Sequence, residues 1–213
     1  YLVEIKMFKK IIFGLSLFLT LGFGATLDDA YNAYEKGDFK TALPIFEDLA
    51  LKGDTDAQFY IGVMYRDGKG VKQDYFKAKE WFEKAALQGD MFAQRNLGSL
   101  YLTGRGVKQD YQKAKELYEK AANQGFDEAL NILGGMYYNG EGIKQDYIKA
   151  KEFYEKAANK GNVESQYNLG IMYYNGYGIK QNKKIAKEWF GKACDGGDQG
   201  GCDKYKILNQ QGY

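Results

Sequence analysis

The sequence predicts an all-α solenoid, a stack of antiparallel helix pairs, and three observations support this fold class. First, a unit of 36 residues recurs along most of the chain. Second, apolar residues within each unit follow the three- and four-residue spacing of amphipathic helices. Third, glycines return at fixed positions in every unit, and the heads of successive units are Gly53, Gly89, Gly125, Gly161 and Gly197.

The N-terminal residues predict a secretory leader. We expect residues 1–6 to be an upstream start-site artefact, because Met7 is the first methionine, and residues 7–24 to be a signal peptide. Two lysines give this segment a positive start, and an apolar run over residues 11–23 follows them. The alternative is a transmembrane anchor, but this run is 13 residues long and a bilayer requires about 20.

The predicted cleavage site lies before Ala25, where Gly22 and Gly24 supply the small residues that a signal peptidase requires. The sequence therefore predicts a periplasmic or secreted chain with no stable membrane insertion after cleavage. The remaining chain would carry 27 basic and 27 acidic residues. This balance lacks the basic footprint of a nucleic-acid-binding protein.

An N-terminal helix pair, shorter than the units that follow it, is predicted over residues 25–52. Its first helix continues through Tyr34, a turn follows at Gly37, and the second helix covers 39–51. Asp38 precedes the second helix and is expected to cap it, because its carboxylate accepts hydrogen bonds from free backbone amides.

Four full repeats come next, and the first shows what they share. Ala57, Ile61 and Tyr65 lie on one face of its first helix. Gly68 is expected to end that helix, because glycine tolerates the left-handed backbone of a helix C-terminus. Asp74 is the predicted N-cap of the second helix. The predicted units cover residues 53–88, 89–124, 125–160 and 161–196, and a half repeat with one helix covers 197–213.

One glycine in each repeat lies in the middle of the first helix. Glycine costs ~1 kcal/mol relative to alanine in a helix interior, so its recurrence requires a structural reason. We expect a close contact with the second helix that leaves no room for a Cβ atom. The four positions are Gly62, Gly98, Gly134 and Gly170.

The repeat motif permits a comparison with a known family. It reads Ala-x-x-x-(Leu/Ile)-Gly-x-x-Tyr-x-x-Gly-x-Gly, followed by Asp-Tyr-x-Lys-Ala and a Lys-Ala-Ala ending. This pattern resembles the Sel-one-like repeat, a relative of the tetratricopeptide repeat, over residues 27–208. The pair at 25–52 is more similar to an ordinary tetratricopeptide hairpin. The resemblance implies a right-handed superhelix that serves as a scaffold for protein partners.

Two cysteines, Cys194 and Cys202, occur at the last junction between units. In an exported chain, this helix-hairpin spacing favours a disulfide. Metal binding is the alternative, but two thiols in a chain without histidine make a poor zinc site. The spacing also resembles the bacterial cysteine-rich Sel-one-like proteins, at this junction alone. That branch includes penicillin-binding and weakly β-lactamase-like members.

The residues predict no catalytic machinery and no cofactor. A chain without histidine cannot form a Ser-His-Asp or Cys-His site. Ser99 and Ser165 are the serines beyond the leader, and neither begins a Ser-x-x-Lys motif. The carboxylates of the second helices alternate with lysines. Glu80 and Lys84 are an expected ion pair on an outer, solvated face.

The candidate binding surface lies on the first helices, which line the concave side of such superhelices. Residues opposite the packing face vary between repeats, as a binding groove requires, and tyrosine and arginine are typical interface anchors. The alternative is that Tyr138 and Tyr174 pack between units. The predicted groove residues are Phe59, Arg66, Arg95, Asn131, Tyr138, Tyr167 and Tyr174.

The sequence thus predicts a monomeric, exported scaffold that binds an unidentified protein or peptide. A β-lactam-binding or weakly hydrolysing protein is the alternative, implied by the cysteine-rich resemblance. A purely structural scaffold of the cell envelope is the third hypothesis.

Overall fold

The computed structural model describes residues 24–213. The predicted artefact at 1–6 and all but the last residue of the predicted signal peptide lie outside this range. Between residues 24 and 213 there are eleven α-helices and no strand. They are α1 Leu27–Glu35, α2 Phe39–Leu51, α3 Thr55–Asp67, α4 Tyr75–Leu87, α5 Met91–Thr103, α6 Tyr111–Asn123, α7 Asp127–Asn139, α8 Tyr147–Ala158, α9 Val163–Asn175, α10 Lys183–Asp195 and α11 Gln199–Gln210.

The helices form successive pairs, and each helix packs against the one before and the one after it. Within a pair, α3 packs on α4, α5 on α6, α7 on α8 and α9 on α10. First helices of neighbouring pairs also approach each other, as α3 and α5 do. The predicted all-α helical-repeat fold is confirmed. None of the helices in residues 24–213 is both long and apolar enough to cross a lipid bilayer.

Side chains at the predicted positions begin the second helices. The Asp74 carboxylate accepts hydrogen bonds from the backbone amides of Phe76 and Lys77, each at 3.0 Å. Gly68 ends the first helix with a φ of 71°, in the left-handed region where a Cβ atom would be strained. The same caps recur in the other repeats, where the N-cap residues are Asp110, Asp146 and Asn182.

The core of each pair is built around the mid-helix glycine. In the first repeat, Ile61 and Phe82 are fully buried. A Cβ atom on Gly62 would lie 2.6 Å from the Phe82 ring, so the ring rests directly on the backbone of α3. The predicted close contact is therefore present. The corresponding pairs are Gly98 with Tyr118, Gly134 with Tyr154, and Gly170 with Phe190.

Glutamine side chains connect successive repeats. Nε2 of Gln58 donates to the Ala50 carbonyl at 3.2 Å, and Nε2 of Gln94 donates to the Ala86 carbonyl at 3.4 Å. In each case the side chain reaches back eight residues, across the turn from a second helix to the next first helix. Gln166 makes the same bond to the Ala158 carbonyl at 3.3 Å.

Two junctions depart from the glutamine pattern. Cys202 occupies the glutamine position at the last junction and forms the predicted disulfide with Cys194, with their Cα atoms 4.5 Å apart. Leu130 occupies that position between α6 and α7, where it is buried. Phe126, the residue before α7, makes no side-chain cap to this helix. The α6–α7 junction therefore lacks two polar links that its neighbours have.

The exposed face of the second helices carries different ion pairs from the one that the sequence predicts. The ion pairs of the second helices join Lys79 to Glu83 at 2.9 Å, and the equivalent residues of the next two repeats. The expected pair between Glu80 and Lys84 is absent from the described structure. The Lys84 ammonium instead lies 3.7 Å from the centre of the Trp81 ring, where a cation–π contact holds it.

Two adjacent glycines test the close helix contact. Gly134→Ala should lower the free energy of unfolding by about 1–2 kcal/mol, because the new methyl group would lie 2.6 Å from the Tyr154 ring. Gly135→Ala is the matched control, since its nearest neighbour, the Tyr154 hydroxyl, lies 3.7 Å away. It should be neutral or stabilise by up to ~1 kcal/mol through helix propensity. Urea denaturation measures both, and equal effects would contradict the assignment.

The disulfide should stabilise one end of the stack. Cys194→Ser combined with Cys202→Ser removes a short covalent loop, which in the chain-entropy treatment is worth about 2.5 kcal/mol. Helix α11 has a neighbouring pair on one side only within the described residues. Hydrogen exchange should therefore accelerate in α11 and remain unchanged in α3. A uniform increase along the chain would disprove this local role.

Candidate functional site

The candidate site is an open cavity of about 520 Å³ on the first-helix side of the second, third and fourth repeats. We call it the groove cavity. Three first helices supply most of its lining, and α8 supplies one tyrosine. The lining residues used below are Arg95 and Leu102 of α5, Asn131, Gly135, Glu128 and Tyr138 of α7, Glu141 of the following loop, Tyr154 of α8, and Glu164 and Asn168 of α9.

Polar bonds join the three first helices across the groove cavity. Arg95 of α5 forms an ion pair with Glu128 of α7. Farther along, the Ser165 hydroxyl of α9 donates to Oδ1 of Asn131 on α7 at 2.8 Å. Asn131 is buried and Ser165 is inaccessible, so this bond is part of the packing between repeats. These links connect the three first helices that line the cavity.

The lining carries more negative than positive charge. Arg95 is the one basic residue among the described lining residues, and Glu128 already neutralises it. Glu164 and Glu141 form no ion pair with any described residue, although Glu141 accepts a hydrogen bond from Asn139 at 3.2 Å. The groove cavity is therefore bordered by two exposed carboxylates that have no ion-pair partner among the described residues.

A buried tyrosine, Tyr154, lies at the base of the groove cavity. Its side chain is 4% exposed, and its ring packs on Gly134. Its hydroxyl lies beside Gly135, where a Cβ atom would be 3.7 Å away. Burial raises the pKa of Tyr154 above its ordinary value, and the negative charge of Glu164 raises it further. The phenol is therefore neutral, and its oxygen is available as a hydrogen-bond acceptor.

The preceding repeat shows what distinguishes Tyr154. Tyr118 occupies the same position there and is equally buried. Burial raises the pKa of Tyr118 to about 12, while the charge of Arg95 and the nearby Ser99 side chain lower it. In the next repeat Gly135 occupies the position of Ser99, so the Ser99 hydroxyl has no counterpart near Tyr154. The Tyr154 hydroxyl is left facing the groove cavity without a hydrogen-bond partner among the described residues.

Three of the predicted groove residues, Arg95, Asn131 and Tyr138, come together in the groove cavity. The Tyr138 ring packs against the Tyr154 ring of its own unit and the Tyr177 ring of the next unit, with centroid distances of 6.5 Å and 5.9 Å. Tyr138 therefore both packs between units and lines the cavity, which combines the two alternatives that the sequence left open for it.

Arg66 lies beside the groove cavity, in a second, smaller cavity of about 150 Å³ that also includes Arg95. Its guanidinium donates to the Asp67 carboxylate at 2.7 Å and 2.9 Å, and to the side chain of Asn96. Arg105 lines the same cavity. This neighbouring surface is therefore basic, in contrast to the groove cavity.

The other three predicted residues lie outside the groove cavity. Phe59 packs against Phe82 and Phe92, at centroid distances of 6.0 Å in both cases. Tyr167 packs on Phe190 at 5.6 Å. Two lysine ammonium groups flank the Tyr174 ring, each 5.6 Å from its centre. The structure thus divides the predicted groove into a central cavity and aromatic contacts at either end.

Sequence reasoning missed Tyr154, Glu141 and Glu164. Tyr154 shares its repeat position with buried phenylalanines, so the periodicity marks it as a core residue. The sequence could have indicated this cavity only through two residues together, Tyr154 at a core position and Gly135 at the position equivalent to Ser99. Neither residue alone points to a cavity.

A pair of tyrosine variants tests the free hydroxyl. Tyr118→Phe should lower the free energy of unfolding by about 1 kcal/mol, because the buried Tyr118 hydroxyl lies beside polar groups, Ser99 and Arg95. Tyr154→Phe should change it by less than about 0.5 kcal/mol, because the lost hydroxyl has no partner within the described chain. Urea denaturation compares the two, and a larger loss for Tyr154→Phe would show that its hydroxyl is already bonded.

Comparison with known proteins agrees with this architecture. The Sel1 repeat matches residues 55–90, 92–126, 127–162 and 163–198. A crystal structure of a protective antigen from uropathogenic Escherichia coli strains, with an SLR fold, is 39% identical with a TM-score of 0.79. The match covers 82% of this chain, which spans 38% of the length of that protein.

Two further crystal structures are similar. A Sel1 repeat protein from Oxalobacter formigenes is 28% identical, with a TM-score of 0.76, over 83% of this chain and 72% of the other. A putative Sel1 repeat protein from Klebsiella pneumoniae is 24% identical, with a TM-score of 0.55, over 84% of this chain and 89% of the other. No curated protein matches the chain. The four repeat matches cover well over half of the sequence, and this chain belongs to the Sel1 repeat family.

Proposed function

We propose that the chain is an exported, monomeric helical-repeat scaffold that binds a protein or peptide partner along its first helices. The observation that carries this proposal is the groove cavity, a concave space of about 520 Å³ that the chain's own side chains leave unfilled. Its volume is in the range of ordinary ligand pockets. Stacked helical repeats use such extended concave surfaces for binding.

The pattern of variation supports the same assignment. Positions that pack within a pair keep their residue type, as with the alanines that begin at Ala78 and Ala114. The predicted groove positions do not, since Arg95, Asn131 and Tyr167 are equivalent by repeat. Packing along a repeat array requires the same residue type at equivalent positions, whereas recognition of one partner requires different residue types at the positions that contact it.

Export is supported by two independent features. One is the predicted leader at residues 7–24. The other is the disulfide between Cys194 and Cys202, since disulfides persist in oxidising compartments such as the periplasm. Mass spectrometry of the mature protein should find Ala25 at its N-terminus.

The β-lactam alternative rests on resemblance alone. Ser165 is inaccessible, and its hydroxyl donates to Asn131, which disfavours it as a nucleophile. Ser99 lies beside Tyr118, and no lysine follows it at the required spacing. No observation on the described residues favours this alternative over partner binding.

Site-specific photocrosslinking tests the proposed function. A photoreactive phenylalanine analogue replaces Leu102 or Asn168, both of which line the groove cavity. In matched controls it replaces Glu116 or Lys120, which are exposed on α6. After irradiation in cells that export the protein, the groove positions should crosslink one shared partner and the controls should not.

The controls decide the interpretation. Equal crosslinking from α6 and from the groove positions would mean that the groove is not the binding surface. Absence of any shared crosslink at Leu102 and Asn168 would disprove partner binding in the groove cavity. Size-exclusion chromatography with light scattering, run on the same samples, should give the mass of a monomer.

A further inference from the structure

Arginine is rare in this chain and is confined to one place in the fold. Of the 30 lysines and arginines in the sequence, three are arginine, namely Arg66, Arg95 and Arg105. All three line the smaller cavity of about 150 Å³ beside the groove cavity, which we call the arginine cavity. They belong to α3, to α5 and to the loop after α5, so two different repeats supply them.

The repeat pattern does not account for these arginines. They occupy three different positions of the 36-residue unit, and no equivalent position in another repeat carries an arginine. The residues of the third repeat at these positions are Tyr138, Asn131 and Glu141. Since the other repeats stack without arginine at these positions, stacking alone does not require it here.

The arginine cavity carries more positive than negative charge. The Arg66 guanidinium donates to Asp67, which is the one acidic residue among the described lining residues. Glu128 of α7 pairs with Arg95 from outside this lining. Arg105 is exposed and forms no ion pair with any described residue. One positive charge is therefore left without a carboxylate.

A second observation in the same cavity indicates a missing hydrogen-bond acceptor. Nε of Arg95 is buried and has no hydrogen-bond partner among the described residues. The hydrogen bond that this guanidinium does make in the described structure runs from Nη2 to Glu128. A buried donor without an acceptor is costly, so such groups are normally satisfied. An anion that enters the arginine cavity would supply the acceptor.

We propose that the arginine cavity binds the carboxylate of an acidic side chain of the partner, an inference that rests on the function proposed above. Arg105 supplies the uncompensated charge. Arg95 turns toward the ligand, so that Nε and a terminal nitrogen donate to it together. Arginine suits this task better than lysine, because its planar guanidinium bonds both oxygens of a carboxylate. The volume of about 150 Å³ is below that of ordinary ligand pockets and suits a single side-chain group.

The arginine cavity lies where a partner on the first helices would reach it. It shares Arg95 with the groove cavity, so one extended segment can occupy both. The Arg105 guanidinium lies 5.6 Å from the centre of the Tyr75 ring, where a cation–π contact restrains it without a carboxylate. The Arg66 guanidinium also donates to the Asn96 side chain. These contacts restrain the two arginines before a ligand binds, which lowers the entropic cost of binding.

Binding of simple charged peptides tests this inference directly. Octaglutamate with fluorescein at its N-terminus and an amide at its C-terminus carries its peptide charge on side chains alone, and fluorescence anisotropy gives the Kd for the oxidised chain. Octalysine and a neutral glycine-serine octapeptide, labelled in the same way, are the comparison probes. At an ionic strength of about 0.15 M, which screens attraction to scattered surface lysines, octaglutamate should bind about fivefold more tightly than either. Equal or tighter binding of octalysine would overturn the inference.

Matched variants locate the site on the chain. Arg105→Gln removes an exposed charge without an ion-pair partner, so the fold should persist while the Kd for octaglutamate rises about three- to fivefold. Lys120→Gln removes the same charge from an exposed position on α6 and should change the Kd by less than about 1.5-fold. If Lys120→Gln weakens binding as much as Arg105→Gln, the peptide is attracted to the whole molecule and the inference fails.

A charge-conserving variant separates the guanidinium from its charge. Arg95→Lys keeps a positive charge beside Glu128 but lacks the Nε donor, so the Kd for octaglutamate should rise about threefold. Equal Kd values for Arg95→Lys and the unaltered chain would contradict the role of this donor. Displacement of octaglutamate by an equal concentration of inorganic phosphate would show that the cavity takes a small free anion and not a side chain of a partner.

Failure of the acidic preference can be distinguished from failure of the proposed function. If Leu102 and Asn168 still crosslink a shared partner while the arginine variants bind octaglutamate like the unaltered chain, the groove binds a partner and the acidic preference is wrong. If the groove positions crosslink no partner, the proposed function itself is wrong.

Discussion

The contact between a first-helix glycine and an aromatic ring of the second helix sets the geometry of every repeat. With no Cβ atom at Gly62 or its copies, the ring lies directly on the helix backbone, and the two helices approach closely. That approach directs one face of the first helix inward and leaves the other free. In the third repeat it also brings the Tyr154 hydroxyl to the base of the groove cavity.

The fold was predictable from the sequence because its determinants lie within one repeat and recur. The caps at Asp74 and Gly68 and the contact at Gly62 each depend on neighbours in the same 36 residues. The candidate site was predictable only in part, because helix direction places Phe59 and Arg95 on one face without showing what covers each. Phe59 meets other aromatic rings, whereas Arg95 meets Glu128 from the next repeat.

The ion pairs of the second helices show the same limit of prediction from sequence. The spacing of Glu80 and Lys84 fits a helix ion pair, as does the spacing of Lys79 and Glu83. The sequence does not distinguish them, because both pairs are four residues apart. The Trp81 ring lies beside Lys84 in the first repeat, but the second repeat has Leu117 at that position and still pairs Lys115 with Glu119. The pair that forms in the first repeat is the one that meets the next repeat, where the Tyr101 hydroxyl donates to Glu83 at 3.4 Å.

The junction between α6 and α7 depends on the shape of one side chain. Gln58, Gln94 and Gln166 join other junctions through side-chain hydrogen bonds, and a disulfide joins the last, whereas Leu130 fills this position by apolar packing. The backbone bonds of the turn remain, since the Phe126 amide donates to the Ala121 carbonyl at 3.2 Å. Apolar contacts lack the directionality of hydrogen bonds, so the register between these two helices is set by how the leucine fits its neighbours and not by a bond from its side chain.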